Sequence, residues 1–100
     1  ESIEFCASTV TKLKSGFKFS DVSPRKSVKN ASTPILFIHG DKDELVPVSM
    51  CKELFNSKTK GLKDMYITPN ARHGESFNSD KEEYRKRIYD FIDDVLALAN

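Results

Sequence analysis

The sequence has little that points to a membrane or a nucleic acid. No run of apolar residues approaches the ~18 that a membrane-spanning helix needs. The 16 basic and 15 acidic side chains nearly cancel, so no excess of positive charge argues for nucleic acid or for an anionic membrane surface. We therefore expect no nucleic-acid partner and no membrane span.

Cysteine is also scarce. Only Cys6 and Cys51 are present, and they are far apart with no C-x-x-C pair. This favours free thiols over a disulfide framework and predicts a reducing compartment, the cytoplasm. The first residue is Glu1, and no charged segment followed by an apolar run, the pattern of a signal peptide, comes after it.

The most informative stretch is residues 34–47, PILFIHGDKDELVP. Its unbroken apolar run ends at His39 and Gly40, which is typical of a strand buried on both faces in a parallel sheet. Three acids follow within four positions: Asp41, Asp43 and Glu44. Open α/β sheets place their ligands at the carboxyl ends of such strands, so the stretch predicts a carboxylate at a functional sheet edge.

Two further segments extend the alternation of strands and helices. Residues 49–57 place apolar side chains four positions apart, which predicts a helix with Ser49 as its N-cap and an end near Ser57. Residues 64–68 predict a second strand, and the loop after it contains His73. The carboxyl ends of parallel strands meet at one edge, so we expect His73 to lie near the acids.

Both ends of the chain also carry helical patterns. Residues 3–14 place apolar residues three and four positions apart, which predicts an amphipathic helix, and a short extended piece is expected at 17–20. Near the other end, Ser79 or Asp80 is expected to cap a long helix. Its apolar stripe consists of Tyr84, Ile88, Phe91, Ile92, Val95, Leu96 and Ala99. The predicted fold class is α/β, with parallel strands alternating with helices.

An acid followed by a histidine has a specific chemistry. A carboxylate beside an imidazole fixes its tautomer and stabilises the imidazolium, and α/β-hydrolases carry their triad in the order Ser, Asp or Glu, His. GDKDELVP resembles their G-x-x-D-x-x-V-P acid loop, and Arg72-His73-Gly74 resembles their histidine loop. Residues 23–98 resemble the C-terminal part of esterase- and lysophospholipase-like serine hydrolases, which are related to the catalytic domains of prolyl oligopeptidase-type peptidases.

The resemblance implies a triad acid at Asp43 and a triad histidine at His73, with no cofactor and no metal. It implies hydrolysis of a small-molecule ester, a thioester or a peptide through an acyl-serine intermediate. It also implies that residues 1–33 are the end of a lid or cap segment with its connection, and that residues 34–100 are the C-terminal part of the hydrolase core.

The nucleophile elbow of these hydrolases, G-x-S-x-G, occurs nowhere in the sequence. We therefore expect the chain to be the C-terminal portion of a hydrolase and to be inactive alone. Two parallel strands leave at least one edge unpaired, so we also expect the sheet edge to pair with another copy, as a homo-oligomer, or with the missing part.

Other interpretations of the same loops stay open. We expect Asp41 to make a local turn bond, Glu44 to be solvated, and His39, the rival imidazole, to be a packing residue. Glu75 and Ser76 are expected to stabilise the histidine loop rather than to catalyse.

Three alternatives concern function. Cys51 could be a nucleophile for His73, although a small buried thiol is the simpler interpretation. His39, His73 and the two aspartates of the acid loop could hold a divalent metal, but their spacing lacks a compact ligand signature. A non-catalytic α/β interaction module, or a hydrolase relative without its nucleophile, is the alternative to an enzyme.

Overall fold

The computed structural model describes residues 3–7, 17–20 and 32–99, with side chains from residue 32 to residue 98. The strands are β1 (Ile3–Ala7), β2 (Phe17–Ser20), β3 (Ile35–Gly40) and β4 (Lys63–Thr68). The helices are α1 (Val48–Ser57), α2 (Ser76–Ser79) and α3 (Lys81–Ala99). All strands are parallel and form one sheet in the order β2-β1-β3-β4. The predicted α/β class is confirmed.

Strand β3 is buried along its whole length, as its apolar run predicts. On one face, Leu36 and Ile38 pack with buried side chains of β4 and α3: Tyr66, Tyr84, Ile88, Phe91 and Val95. On the other face, Ile35 and Phe37 pack with Cys51 and Leu54 of α1. Because successive side chains of a strand point to opposite faces, one strand holds the two helices on opposite sides of the sheet.

Helix α1 ends at Ser57, as predicted, but it begins earlier than expected. The prediction of Ser49 as the N-cap is wrong, because the carbonyl oxygen of Pro47 already accepts a hydrogen bond from the amide of Met50 at 2.9 Å. At the other end, the ammonium of Lys63 donates to the carbonyl oxygens of Phe55 (2.8 Å) and Lys58 (3.0 Å). It thereby adds a donor at the end of the helix, where the carbonyl oxygen of Phe55 also accepts a hydrogen bond from the amide of Lys58 at 3.3 Å.

Helix α3 begins as the sequence predicts. The carboxylate of Asp80 accepts a hydrogen bond from the amide of Glu83 at 3.1 Å, which confirms Asp80 as the cap. The predicted stripe is buried at Tyr84, Ile88, Phe91 and Val95, whereas Leu96 is half exposed. Among the described residues, no helix is both long and apolar enough to cross a bilayer.

The N-terminal prediction is wrong where it can be compared. Residues 3–14 were expected to form a helix, but Ile3–Ala7 is strand β1, which pairs with β2 on one side and β3 on the other. Pairing with two neighbours stabilises a short segment in a way that its own apolar spacing does not reveal. Residues 8–14 lie outside the described part. The extended piece at 17–20 is confirmed as β2.

The division at residue 33 stays a prediction. The family resemblance assigns residues 1–33 to the end of a lid or cap segment with its connection, and residues 34–100 to the C-terminal part of the hydrolase core. The structure shows that two pieces of the first segment pair into the same sheet as β3.

Candidate active site

The carboxylate of Asp43 is held by its own loop. Its side chain is 0% exposed, and its Oδ1 atom accepts hydrogen bonds from the amides of Leu45 (2.9 Å) and Val46 (2.8 Å). A side-chain oxygen that caps the amides two and three positions later is a turn motif typical of aspartate. These two bonds occupy Oδ1 and leave Oδ2 for a partner outside the loop.

That partner is His73. Strand β4 ends at Thr68, and the chain then turns through Asn70, whose φ angle is 60°. The Nδ1 atom of His73 lies 2.9 Å from Oδ2 of Asp43, across 30 positions of sequence. The expectation that the loops after the two strands meet is therefore confirmed.

The contact sets the tautomer of the imidazole. A carboxylate oxygen accepts, so Nδ1 of His73 carries the hydrogen and donates it, which leaves Nε2 of the neutral ring as an acceptor. The side chain of His73 is 35% exposed, while that of Asp43 is fully buried. A buried acid behind an accessible imidazole is the arrangement that a general base requires.

Hydrogen bonds between the two loops hold this pair in register. The amide of Asp41 donates to the carbonyl oxygen of Thr68 (3.0 Å), and the amide of Lys42 donates to that of Ala71 (2.9 Å). Gly40 makes the second approach possible, because a Cβ atom at that position would collide with the carbonyl group of Ala71. The close packing at Gly40 therefore fixes the distance between the acid loop and the histidine loop.

Asp41 does not make the local turn bond that we expected. Its carboxylate accepts a hydrogen bond from the amide of Asn70 at 2.7 Å, so it joins the two loops, and the local turn bonds are made by Asp43 instead. The parallel pairing of β3 and β4 brings Asn70 within reach of the first residue after β3. Glu44 is exposed, as expected.

The histidine loop is stabilised by Glu75, as predicted. The carboxylate of Glu75 accepts a hydrogen bond from the amide of Arg72 (3.0 Å), and its own amide donates to the carbonyl oxygen of Arg72 (3.1 Å). Ser76 is 1% exposed, and its hydroxyl has no hydrogen-bond partner within the described residues. It starts the short helix α2, which the sequence did not predict because four residues carry no periodic pattern.

The surroundings keep Asp43 charged at neutral pH. Burial raises the pKa of the Asp43 carboxyl, because a charge in the interior loses solvation. Hydrogen bonds from the amide of Val46, the ring of His73 and the amide of Leu45, together with the charge of His73, outweigh that effect. The net pKa is lower than the ordinary value of 3.8.

His39 contacts the same carboxylate, which the sequence did not reveal. As expected it is buried, with 4% exposure, and its Nε2 atom lies 2.6 Å from the carbonyl oxygen of Val46. That atom is also 3.3 Å from Oδ2 of Asp43. The only signal in the sequence was the four-residue spacing of His39 and Asp43, which has no defined geometry where a strand ends and a loop begins.

Cys51 lies in the core on the α1 face of the sheet. Its side chain is 4% exposed in the core between β3 and α1, so the expectation of a buried thiol is confirmed. Among the described residues, no three histidine, cysteine or acidic side chains cluster in a way that could hold a metal ion.

A parallel sheet with a buried acid after one strand and a histidine after the next defines an α/β-hydrolase, here its C-terminal part. The crystal structure of the esterase RhEst1 from Rhodococcus sp. ECU1013 matches this fold with a TM-score of 0.58 and 25% sequence identity. The match covers 72% of this chain and 25% of that chain.

Residues 5–99 match the prolyl oligopeptidase family, and the chain belongs to it. Two relatives come from Bacillus subtilis (strain 168). The uncharacterized protein YqkD is 34% identical over 84 residues, which is 84% of this chain and 27% of YqkD. The AB hydrolase superfamily protein YisY is 32% identical over 87 residues, which is 85% of this chain and 31% of YisY. The chain thus spans less than a third of these relatives.

Proposed function

We propose that this chain supplies the acid and the base of a catalytic triad in a serine hydrolase that cleaves a carboxylic ester, a thioester or an amide. The observation that carries the proposal is the 2.9 Å contact between Nδ1 of His73 and Oδ2 of Asp43. It leaves Nε2 of an accessible imidazole ready to accept a proton.

In this mechanism, His73 acts twice. Its Nε2 atom takes the proton of the serine hydroxyl as that oxygen attacks the carbonyl carbon, and then delivers it to the leaving group. A water molecule then loses a proton to the same Nε2 atom and attacks the acyl carbon, and the imidazolium returns that proton to the serine oxygen as the acyl–serine bond breaks. Asp43 keeps its negative charge throughout and stabilises the imidazolium, in agreement with its lowered pKa.

The nucleophile is proposed to lie in another part of a longer protein. No G-x-S-x-G occurs in these 100 residues, and the chain covers 27% of YqkD and 31% of YisY. We therefore expect the isolated chain to be inactive, and we propose that the described sheet continues through its edge into that part or into a second copy. The buried Cys51 thiol fits a reducing, cytoplasmic location.

Two of the matches support the choice of both amides and esters as candidate substrates. The family is named for oligopeptidases, which favours an amide, whereas the matching crystal structure is that of an esterase. Both reactions pass through the same tetrahedral chemistry at a carbonyl carbon. p-Nitrophenyl esters of varied chain length and short peptide amides therefore cover the two possibilities.

The test uses the full-length protein with the variants His73→Ala and Asp43→Asn. His73→Ala is expected to lower kcat by about 10⁶-fold because the base is lost, and Asp43→Asn by about 10⁴-fold because the orientation of the base is lost. Labelling by a fluorophosphonate probe should occur at one serine outside this segment and should be slowed in both variants.

Asn56→Ala, an exposed change on helix α1, is the matched control and should leave activity unchanged. Hydrolysis that survives His73→Ala, in a protein that keeps its melting temperature, would refute the proposal. Absence of any hydrolysis or serine labelling in the wild-type protein would favour the non-catalytic alternative.

A further inference from the structure

His39, the other histidine of the chain, is buried next to the Asp43–His73 pair. His39 is the penultimate residue of β3, and 6% of its side chain is exposed. Its Nε2 atom faces two acceptors, the carbonyl oxygen of Val46 at 2.6 Å and Oδ2 of Asp43 at 3.3 Å. Because neither oxygen can donate, Nε2 of His39 carries a hydrogen and donates it.

One oxygen atom of Asp43 therefore faces two imidazoles, since Oδ2 also accepts the hydrogen bond of His73. We propose that His39 is a positioning residue for the Asp43–His73 pair, which sets both the place of the carboxylate and its attraction for His73. This inference rests on the proposed function, since it assigns a further role within the same site.

The positional effect acts through Val46. The amide of Val46 orients the carboxylate by donating to Oδ1, and the carbonyl oxygen of the same residue is held by His39. The imidazole thus joins the end of β3 to the far end of the acid loop. Loss of this bond loosens the residue that aligns Asp43, and small misplacements of catalytic groups lower rates strongly.

The electrostatic effect acts through Oδ2. The positive end of an N–H dipole near this oxygen makes its electrostatic potential less negative. A less negative Oδ2 stabilises the protonated ring of His73 less strongly. A protonated His73 cannot act as a base. Removing the donor from position 39 therefore lets the inactive, protonated form persist to higher pH.

The other titratable groups near the pair stay the same when His39 is changed. Helix α2 contributes none, and the first turn of α1 contributes only the buried thiol of Cys51. The remaining charged side chains of the two loops are exposed: Asp41, Lys42, Glu44, Arg72 and Glu75. A shift in the pH profile can therefore be assigned to the donor at position 39.

The experiment compares three variants of the full-length protein. His39→Phe removes the donor at similar size, His39→Asn is too short to reach Val46, and His39→Gln can place an amide N–H near the original Nε2 position. The readout is the pH profile of kcat/KM, with the melting temperature as the check on folding and Asn56→Ala as the control.

For His39→Phe we expect kcat/KM to fall about tenfold and the acid limb of its pH profile to move up by about one pH unit. His39→Gln should restore most of both effects. If His39→Phe does not fold, kcat/KM and its pH profile are compared between His39→Asn, which lacks the donor, and His39→Gln, which supplies one.

The inference would be overturned if kcat/KM fell equally in His39→Gln and in the two variants without a donor, and if the acid limb of the pH profile did not move. His39 would then only fill space. His73→Ala separates the two proposals. If it abolishes activity while the His39 variants keep the wild-type profile, the triad assignment stands and the role of His39 fails. If it leaves activity intact, the proposed function itself fails.

Discussion

At the scale of single residues, the candidate site depends on atoms that are absent as much as on those present. Gly40 has no side chain at the point where the carbonyl group of Ala71 approaches it. His73, two residues after Ala71, contacts Asp43. Gly74 differs in kind, because it has open space around it and a φ angle of 79°. One glycine is needed for space and the other for its backbone conformation.

Gly40→Ala should therefore disturb the site more than Gly74→Ala does. The added methyl group at position 40 must displace Ala71, which should lower the free energy of unfolding by about 1–3 kcal/mol and lower kcat/KM in addition. Gly74→Ala should cost about 1 kcal/mol through its left-handed backbone. Denaturant unfolding and the kinetics of both variants provide the measurement, and equal losses of kcat/KM would contradict the distinction.

At the scale of secondary-structure elements, helix α3 covers one face of the sheet and begins at a single side-chain cap. The Asp80 carboxylate satisfies the amide of Glu83, and the first buried residue of the helix, Tyr84, follows directly. The ring of Tyr84 packs edge-on against Phe77 of α2, with 5.3 Å between the ring centroids. The cap therefore sets where the helix docks on the core.

Asp80→Ala should lower the free energy of unfolding by about 1 kcal/mol, because the amide of Glu83 loses its partner. Asp80→Asn keeps an oxygen acceptor and should be close to the wild type. Chemical denaturation of the two variants measures the difference. If Asp80→Asn were destabilised as much as Asp80→Ala, the stabilisation would come from the negative charge of Asp80 and not from the cap hydrogen bond.

The elements that the sequence predicts are those with a sustained pattern. Strand β3 is an unbroken apolar run and α3 repeats its apolar positions over several turns, so both were predicted. Strand β1 was not, because five residues can satisfy helical and extended spacing equally, and pairing with β2 and β3 decides between them. Parallel topology predicts that the loops of Asp43 and His73 meet, whereas the contact of His39 depends on the shape of the acid loop.

At the scale of the whole molecule, Asp43 links the candidate site to the pH dependence of stability. Its pKa in the folded protein is below the ordinary value of 3.8, so the unfolded chain binds a proton first as the pH falls. Its contribution to stability is complete above the unfolded pKa and is lost as the pH drops through the folded pKa.

The free energy of unfolding of the wild-type protein should therefore fall more steeply between about pH 5 and pH 3 than that of Asp43→Asn. Subtracting the two curves removes the contribution of the other carboxylates, which both proteins share. Parallel curves over this range would show that Asp43 gains no stabilisation of its charge on folding.

The acid loop also has a consequence for how such proteins diversify. Among the residues whose side chains the structure describes, every group that holds the Asp43 carboxylate belongs to residues 39–73. A change upstream of β3 that leaves the pairing of β1 with β3 intact should therefore leave the acid in place. In the proposed hydrolase, this separation would let substrate selectivity change in that segment while the Asp43–His73 pair stays intact.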